Sequence, residues 1–439
     1  MNAGFKKGII ILACLLICGG CSKATDNDVL HTPVTTESIS DTEEITTPEE
    51  TATTEETTTP EETTTPEETT TPEETTTPEE TSTPEETTTP EETTTPEETS
   101  TPEETTTAEE TTSPEETTTQ EETTTQPPAL SPEEREALMR QQVMEALPGI
   151  VCWGDSLTVG YGGNGESYPA TLERLISQRL IDGITVVNNG VCVEQTHTIM
   201  VRAGAWALYA DGFIIPADCE QVELHVYLEG GLYTNLASYG DAGLNPVTIA
   251  GVKGVLTASY HEAEYGYMYF TRLEPGESVE VAGGTSVFPA SKELYDNYIN
   301  VIFMGENGHY TSPDDLVEQH QRFVDVRCND RYIIIGITTG DNGSRGEISQ
   351  KMAERFGNHY IDMRTELVQR GPELTGLERR VDDWYNMETG RVMGYLMSDD
   401  IHLNEYGYRA VGEIVYERME ALGYFDGVKN AIAAYQAQQ

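Results

Sequence analysis

The chain has 439 residues and a formal net charge of −52, because its 77 Asp and Glu residues far outnumber its 25 Lys and Arg residues. A chain this acidic lacks the basic surface that nucleic acids and anionic lipid headgroups require, so neither is an expected partner. Of the acidic residues, 32 lie at positions 24–130, where the sequence has no Lys or Arg. The part that follows, roughly 300 residues, is long enough for one large domain with its own core.

Residues 1–21 are typical of an export signal. Lys6 and Lys7 precede an apolar run that is too short to cross a bilayer. The run ends in Cys18-Gly19-Gly20-Cys21, which resembles the processing site of bacterial lipoproteins, where the last Cys is lipidated. The resemblance implies a protein at the cell surface whose one contact with the membrane is a lipid anchor on Cys21. The alternative is an ordinary cleaved secretion signal.

Residues 22–130 form a low-complexity segment in which Thr-Thr-Thr-Pro-Glu-Glu recurs every six positions, as at 57–62 and 63–68. The segment has almost no apolar side chains to bury, so burial cannot offset the entropy lost on ordering. Proline and like-charge repulsion favour extended conformations. We therefore predict a disordered linker, and a glycosylated stalk is compatible with the same composition.

The segment after the linker has the pattern of an α/β protein. Ser131 and Pro132 are a typical helix start, which predicts a leading helix over residues 131–147. Strand-like apolar runs then alternate with segments of helical periodicity, and this alternation predicts a parallel sheet covered by helices on both faces. The predicted strands are 149–153, 184–187, 299–304 and 332–337, and the predicted helices are 167–180, 313–326, 347–356 and 404–422.

One segment interrupts this alternation. From about residue 212 to 290 the pattern is strand after strand, with Gly and Pro turns between them. We interpret it as a β-rich insertion between the second and third core strands. Without it, the domain at 148–427 keeps roughly 200 residues, an ordinary size for one α/β domain. Residues 428–439 are expected to be a C-terminal tail.

Polar residues follow the predicted strands at three places. Gly154-Asp155-Ser156-Leu157 comes after the first strand, Asn307 after the third, and Asp399-x-x-His402 before the last helix. Ligands of parallel sheets bind at the carboxyl ends of the strands. An Asp three residues before a His can hold the imidazole in the tautomer that a general base needs, and an amide there can donate to an oxyanion. Taken singly, the same residues also suit helix caps and an Asn-Gly turn.

The ordered set resembles the SGNH or GDSL hydrolase family of esterases and lipases over about residues 148–427 without the insertion. The resemblance implies a three-layer α/β/α, flavodoxin-like fold. It also implies that Ser156 is the nucleophile, that His402 is the base and that Asp399 orients it, while Asn307 donates to the oxyanion. No cofactor is implied.

The family's second motif is altered in this chain. Around Asn188-Asn189-Gly190 the sequence matches the family's earlier Gly at Gly190, but Val193 stands where the later Gly donates its backbone N–H to the oxyanion. A valine still has that N–H, although its branched side chain resists a positive φ and adds bulk. The resemblance therefore implies oxyanion donors at Asn307 and Val193, with Gly190 shaping the turn.

The sequence predicts no metal site. His261-Glu262 would start a zinc-protease motif, but the second His that this motif needs is replaced by Tyr265. The leading interpretation is a monomeric, lipid-anchored serine esterase that acts on small-molecule or polysaccharide esters, above all O-acetyl groups. Two alternatives stay open. One is a non-catalytic carbohydrate- or wall-binding module on a degenerate hydrolase core, and the other is a lipase or lysophospholipase.

Overall fold

The computed structural model describes residues 130–232, 234, 236–258 and 266–439. The predicted signal segment with Cys21, the predicted linker up to residue 129, and the motif residues His261, Glu262 and Tyr265 lie outside these described residues. In the part of the chain that is described, no helix has the length and apolar character needed to cross a membrane.

Thirteen strands are found in the described ranges, and we number them in chain order: β1 (Ile150–Gly154), β2 (Val186–Gly190), β3 (Leu208–Ala210), β4 (Phe213–Ile215), β5 (Val222–Leu228), β6 (Val247–Ile249), β7 (Val252–Thr257), β8 (Tyr267–Arg272), β9 (Val279–Val281), β10 (Thr285–Pro289), β11 (Ile299–Phe303), β12 (Tyr332–Ile335) and β13 (Tyr360–Ile361).

The α-helices of the same ranges are α1 (Pro132–Ala146), α2 (Ser156–Val159), α3 (Tyr168–Arg179), α4 (Thr196–Arg202), α5 (Ser291–Leu294), α6 (Pro313–Arg327), α7 (Asn342–Phe356), α8 (Met363–Thr375), α9 (Asp383–Thr389), α10 (Glu405–Ala421) and α11 (Asp426–Gln436). Short 3₁₀ turns span Gly357–His359 and Gly394–Leu396.

The core is a five-stranded parallel sheet in the order β13-β12-β11-β1-β2. Counted among the core strands alone, this is the 2-1-3-4-5 order of flavodoxin-like folds, read from the other edge. Every residue of β1 and of β11 is buried, as expected for central strands of a sheet covered on both faces. The fold class predicted from the alternating pattern is confirmed.

Successive side chains of β1 pack into different layers, because a strand turns alternate residues to opposite faces. Ile150 and Cys152 join a core that also holds apolar residues of α1, α3, α8, α10 and α11. Val151 and Trp153 join a second core with residues of α4, α6 and α7. The two cores lie on opposite faces of the sheet and make the α/β/α arrangement.

The β-rich segment has a fold of its own within the domain. Strands β10, β3, β5, β8, β7 and β6 pair antiparallel in that order and close into a small barrel around a third apolar core. The first of these strands begins at Leu208, before the expected start near residue 212. With three residues it is too short to give a visible alternation in the sequence. The two-residue core strand β13 escaped prediction for the same reason.

The two ends of the described domain pack on each other. Ser131 caps α1, as the sequence predicts, and the structure adds a reciprocal capping box with Glu134. Residues 428–439 are not the expected tail, because α11 covers most of them and buries Val428 and Ala431 against the core that includes α1. The sequence did not reveal α11 because its apolar face is short and because it packs on α1, which lies almost 300 positions earlier in the chain.

Candidate active site

The structure brings Ser156, His402 and Asp399 together in one chain of hydrogen bonds. The Oγ of Ser156 lies 2.9 Å from Nε2 of His402, and Nδ1 of the same ring lies 2.8 Å from Oδ2 of Asp399. Ser156 and His402 are both buried. This is the arrangement in which an imidazole can take a proton from a hydroxyl while a carboxylate holds its other nitrogen.

The turn before α10 holds Asp399 in place. Its Oδ1 accepts the backbone N–H of Ile401 at 2.8 Å and that of His402 at 2.7 Å, so Oδ2 is left for the imidazole. Partial burial raises the pKa of Asp399, but the hydrogen bonds from His402 and Ile401 outweigh it and leave the pKa below its usual value. The carboxylate therefore stays charged at neutral pH and can stabilise an imidazolium.

Two glycines allow the strand ends to approach the Ser156 turn. A Cβ on Gly154 would lie 2.1 Å from Oγ1 of Thr158 and 2.4 Å from the carbonyl oxygen of Phe303. A Cβ on Gly190 would lie 2.3 Å from the backbone nitrogen of Val159. Since no real Cβ fits at such distances, glycine is required at both positions for the two strand ends to meet α2.

The backbone around Ser156 offers free donors. Within the described residues, the N–H groups of Ser156 and Val193 donate to no protein acceptor. The N–H of Gly190, by contrast, donates to Oδ1 of Asn188 at 2.9 Å. Ser156 and Val193 are therefore the backbone groups that could bind an oxyanion, while Gly190 serves the turn.

Asn307 holds the loop after β11 against the loop after β2. Its Nδ2 donates to the carbonyl oxygen of Glu194 at 2.9 Å and, over a longer 3.3 Å, to Oδ2 of Asp155. The shorter bond fixes the position of the amide. The longer bond, to Asp155, is the weaker one. The N–H that makes it could instead donate to an oxyanion beside Ser156.

Val193 has a strained backbone. Its φ is +67°, in the left-handed region that glycine enters freely and that β-branched residues avoid. The altered family position thus keeps a glycine-like conformation even though its side chain opposes it. The valine side chain therefore adds bulk at this position, as the sequence suggested, while the backbone keeps the left-handed conformation.

We expect Val193→Gly to raise the free energy of unfolding. Left-handed geometry costs an L-residue about 1–2 kcal/mol, and the greater freedom of an unfolded glycine takes back about 0.5–1 kcal/mol, so the net gain should be about 0.5–1 kcal/mol. Urea unfolding measures it. Val193→Ala is the matched control, because it removes bulk but keeps the Cβ. Equal effects of the two variants would contradict the strain explanation.

A buried ion pair, which the sequence analysis missed, supports the loop after β2. Arg202 is fully buried, and its Nε donates to Oε2 of Glu194 at 2.7 Å. The same guanidinium donates to the backbone carbonyls of Gly154 at 3.2 Å and Asn189 at 2.8 Å, and also to that of Ala242 in the β-rich insertion. It therefore ties the ends of β1 and β2, the Val193 loop and the insertion together. The sequence signal that could have revealed this ion pair is Arg202 itself, a charged residue at the end of the buried helix α4.

Two further buried carboxyls lie beside Asn307. Burial, reinforced by the negative charges of Glu306 and Glu194, raises the pKa of Asp155 to about 8. Burial also raises the pKa of Glu306, against a hydrogen bond from Thr339 and the charge of Arg345. The raised pKa favours the protonated form of Asp155, which lowers the negative charge on the carboxyl that the Asn307 amide contacts.

Among the described residues, no group of three or more His, Cys, Asp or Glu side chains is arranged to hold a metal ion. No protein family model matches the chain, and no curated protein matches it.

Among solved structures, the chain is similar to the crystal structure of the lipase/acylhydrolase from Enterococcus faecalis, with 13% sequence identity and a TM-score of 0.32. The match covers 62% of this chain and 95% of that chain. The chemistry of the site rests on its own geometry, given by the distances around Ser156 and His402.

Proposed function

We propose that this protein is a serine ester hydrolase. The observation that carries the proposal is the continuous hydrogen-bonded chain from Asp399 through His402 to Ser156, at 2.8 and 2.9 Å. A chain of this kind suits the activation of a hydroxyl nucleophile.

In this mechanism, Oγ of Ser156 attacks the carbonyl carbon of the ester while Nε2 of His402 takes the hydroxyl proton. The N–H groups of Ser156 and Val193 and the amide of Asn307 stabilise the negative oxygen of the tetrahedral intermediate. The intermediate breaks its bond to the alcohol oxygen, which receives the proton from His402. Water then attacks the acyl-Ser156 ester with the same proton transfers in turn, releasing the acid.

Turnover of p-nitrophenyl acetate by the purified protein tests this proposal most directly. A linear release of p-nitrophenol that depends on Ser156 supports an esterase. The strained Val193 favours the alternative of a non-catalytic surface module, and hydrolysis no faster than that of the Ser156→Ala variant would support that alternative instead.

We expect Asn307→Ala to lower kcat roughly 100-fold or more, the usual cost of losing one oxyanion donor. KM should change little, because the lost interaction is strongest in the transition state. Steady-state kinetics with p-nitrophenyl acetate measures both constants. Asn307→Asp is the companion variant, since it keeps the shape but replaces the donor by an acceptor. If either variant kept half of the wild-type kcat, Asn307 would not be an oxyanion donor.

For the natural substrate, we propose O-acetyl esters of a polysaccharide, and for the location, the cell surface, with the lipid anchor in the bacterial cytoplasmic membrane. Both rest on the expected lipid anchor at Cys21 and the expected linker, which would present the domain to wall or plant polysaccharide. We propose a monomer that uses no cofactor and binds no nucleic acid, in line with the net charge of −52.

We expect the expressed protein to label with palmitate and to partition into detergent, and Cys21→Ala to remove both properties. The thioether-linked lipid forms on that thiol, and alanine has no group to modify. Metabolic labelling and Triton X-114 partitioning measure the two effects, with Cys219→Ala as the matched control. A wild-type protein that is exported in soluble form without label would contradict the anchor.

A further inference from the structure

A cavity of about 630 Å³ opens beside the catalytic carboxylate, at the carboxyl end of β12. Three segments form its wall: the residues after β12, the end of α9 with the loop that follows, and residues 397–400 of the turn before His402. Its volume lies within the roughly 300–1,000 Å³ that is usual for pockets holding drug-sized ligands. Asp399 is part of the wall and contacts the imidazole of His402 directly.

Each wall segment contributes polar side chains. Thr338 and Thr339 follow β12, Asn386 lies on α9, and Asp400 follows Asp399. The hydroxyl of Thr338 is buried and has no hydrogen-bond partner among the described residues. Asn386 and Asp400 are accessible, and within the described ranges their side-chain polar atoms make no hydrogen bond. These groups offer donors and acceptors to whatever occupies the cavity.

The charges in the wall favour a hydroxylated occupant over an acyl chain. Arg391 lines the cavity together with Asp399 and Asp400. An acyl chain would displace water from these ions and replace none of their hydrogen bonds, which is costly. The hydroxyl groups of a sugar can both donate to the carboxylates and accept from the guanidinium.

The cavity also lies next to the turn that carries His402, although its wall contains neither Ser156 nor His402 themselves. In the sheet order β12-β11-β1-β2, the proposed oxyanion donors follow β11, β1 and β2, whereas the cavity begins after β12. His402 must give its proton to the alcohol oxygen, so this oxygen has to lie near the imidazole and the turn that carries it. The wall of the cavity includes that turn.

We propose that this cavity binds the alcohol part of the substrate, a neutral pyranose unit of an oligosaccharide that carries the ester. The inference rests on the proposed esterase function and adds the place where the leaving alcohol binds and the residues that hold it. Asn386 and Asp400 hold the sugar hydroxyls and determine specificity without taking part in bond cleavage.

The test compares kcat/KM for partially acetylated xylo-oligosaccharides and for ethyl acetate, two acetyl esters that differ in their alcohol. We expect the wild type to prefer the saccharide ester at least tenfold. In Asn386→Ala/Asp400→Ala this preference should fall about tenfold, through KM. Glu388→Gln, an exposed residue of α9 outside the cavity wall, is the matched control and should keep the preference.

Calorimetric titration with unacetylated xylotetraose separates this inference from the esterase proposal. If no ester is turned over but xylotetraose binds and the double variant loses that binding, the cavity is a saccharide site and the esterase proposal fails. If esters are turned over with no preference for saccharides, the esterase stands and the inference is overturned. If the wild type prefers p-nitrophenyl octanoate over p-nitrophenyl acetate and the double variant changes this preference, the cavity is an acyl pocket and the inference is overturned as well.

Discussion

Ser156→Ala and His402→Ala are each expected to lower kcat for p-nitrophenyl acetate by roughly 10⁴-fold or more, because the hydroxyl and its base act as one unit. The reason is the 2.9 Å contact between Oγ and Nε2. Without the imidazole the hydroxyl keeps its proton, and without the hydroxyl the imidazole has nothing to activate. The double variant should therefore lose only a few-fold more than either single variant.

The matched control for Ser156→Ala is Ser177→Ala, since Ser177 is an exposed serine of α3. Its kcat should equal that of the wild type. Circular dichroism of each variant separates a lost active site from a lost fold. Wild-type hydrolysis by a folded Ser156→Ala protein would reject the mechanism and move the binding-module alternative ahead.

Arg202→Met is expected to lower the free energy of unfolding by about 3–5 kcal/mol, because removing one partner leaves Glu194 buried without compensation. Three backbone carbonyls lose a donor at the same time. Urea unfolding at pH 8 measures the loss. Arg140→Met is the control, since Arg140 forms an exposed pair with Glu136 within α1 and should cost less than about 1 kcal/mol.

The loss in Arg202→Met should depend on pH in a definite direction. Burial raises the pKa of Glu194 even though Arg202 opposes it, and without Arg202 the pKa must rise further. When the pKa of a carboxyl is higher in the folded state than in the unfolded state, the free energy of unfolding falls as the pH rises between the two pKa values. The unfolded state loses its proton in this range, whereas the folded state keeps it. The variant should therefore lose less stability at pH 5 than at pH 8. A loss independent of pH would contradict an uncompensated carboxylate at Glu194.

Much of the core fold is readable from local patterns. The helices α3, α6 and α10 begin and end within about two residues of their predicted bounds, because each combines a polar cap with apolar residues at helical spacing. Helix α7 begins earlier than the predicted start at residue 347. Its first turn begins at Asn342 with exposed polar residues and a capping box at Asp341, so the apolar spacing starts one turn later.

The proximity of the candidate site residues was also predictable, although their roles remain a proposal. Ser156 and Asn307 each follow a buried strand, and parallel strands bring their carboxyl ends to one edge of the sheet. The spacing of Asp399 and His402 by three residues is enough for one turn to join carboxylate and imidazole. The distance between Ser156 and His402 was not predictable, since it depends on how α10 packs on the sheet.

The sequence by itself determined the order of the longer core strands and helices, the parallel sheet and the polar residues at its carboxyl edge, since caps, periodicity and turn residues act over a few positions. Only the tertiary structure decided the closure of the β-rich strands, the packing of α11 on α1, the positive φ of Val193 and the burial of Arg202 against Glu194. These features depend on which distant segments come into contact. A short strand, a strained backbone or a buried charge becomes stable only when residues far along the chain surround it.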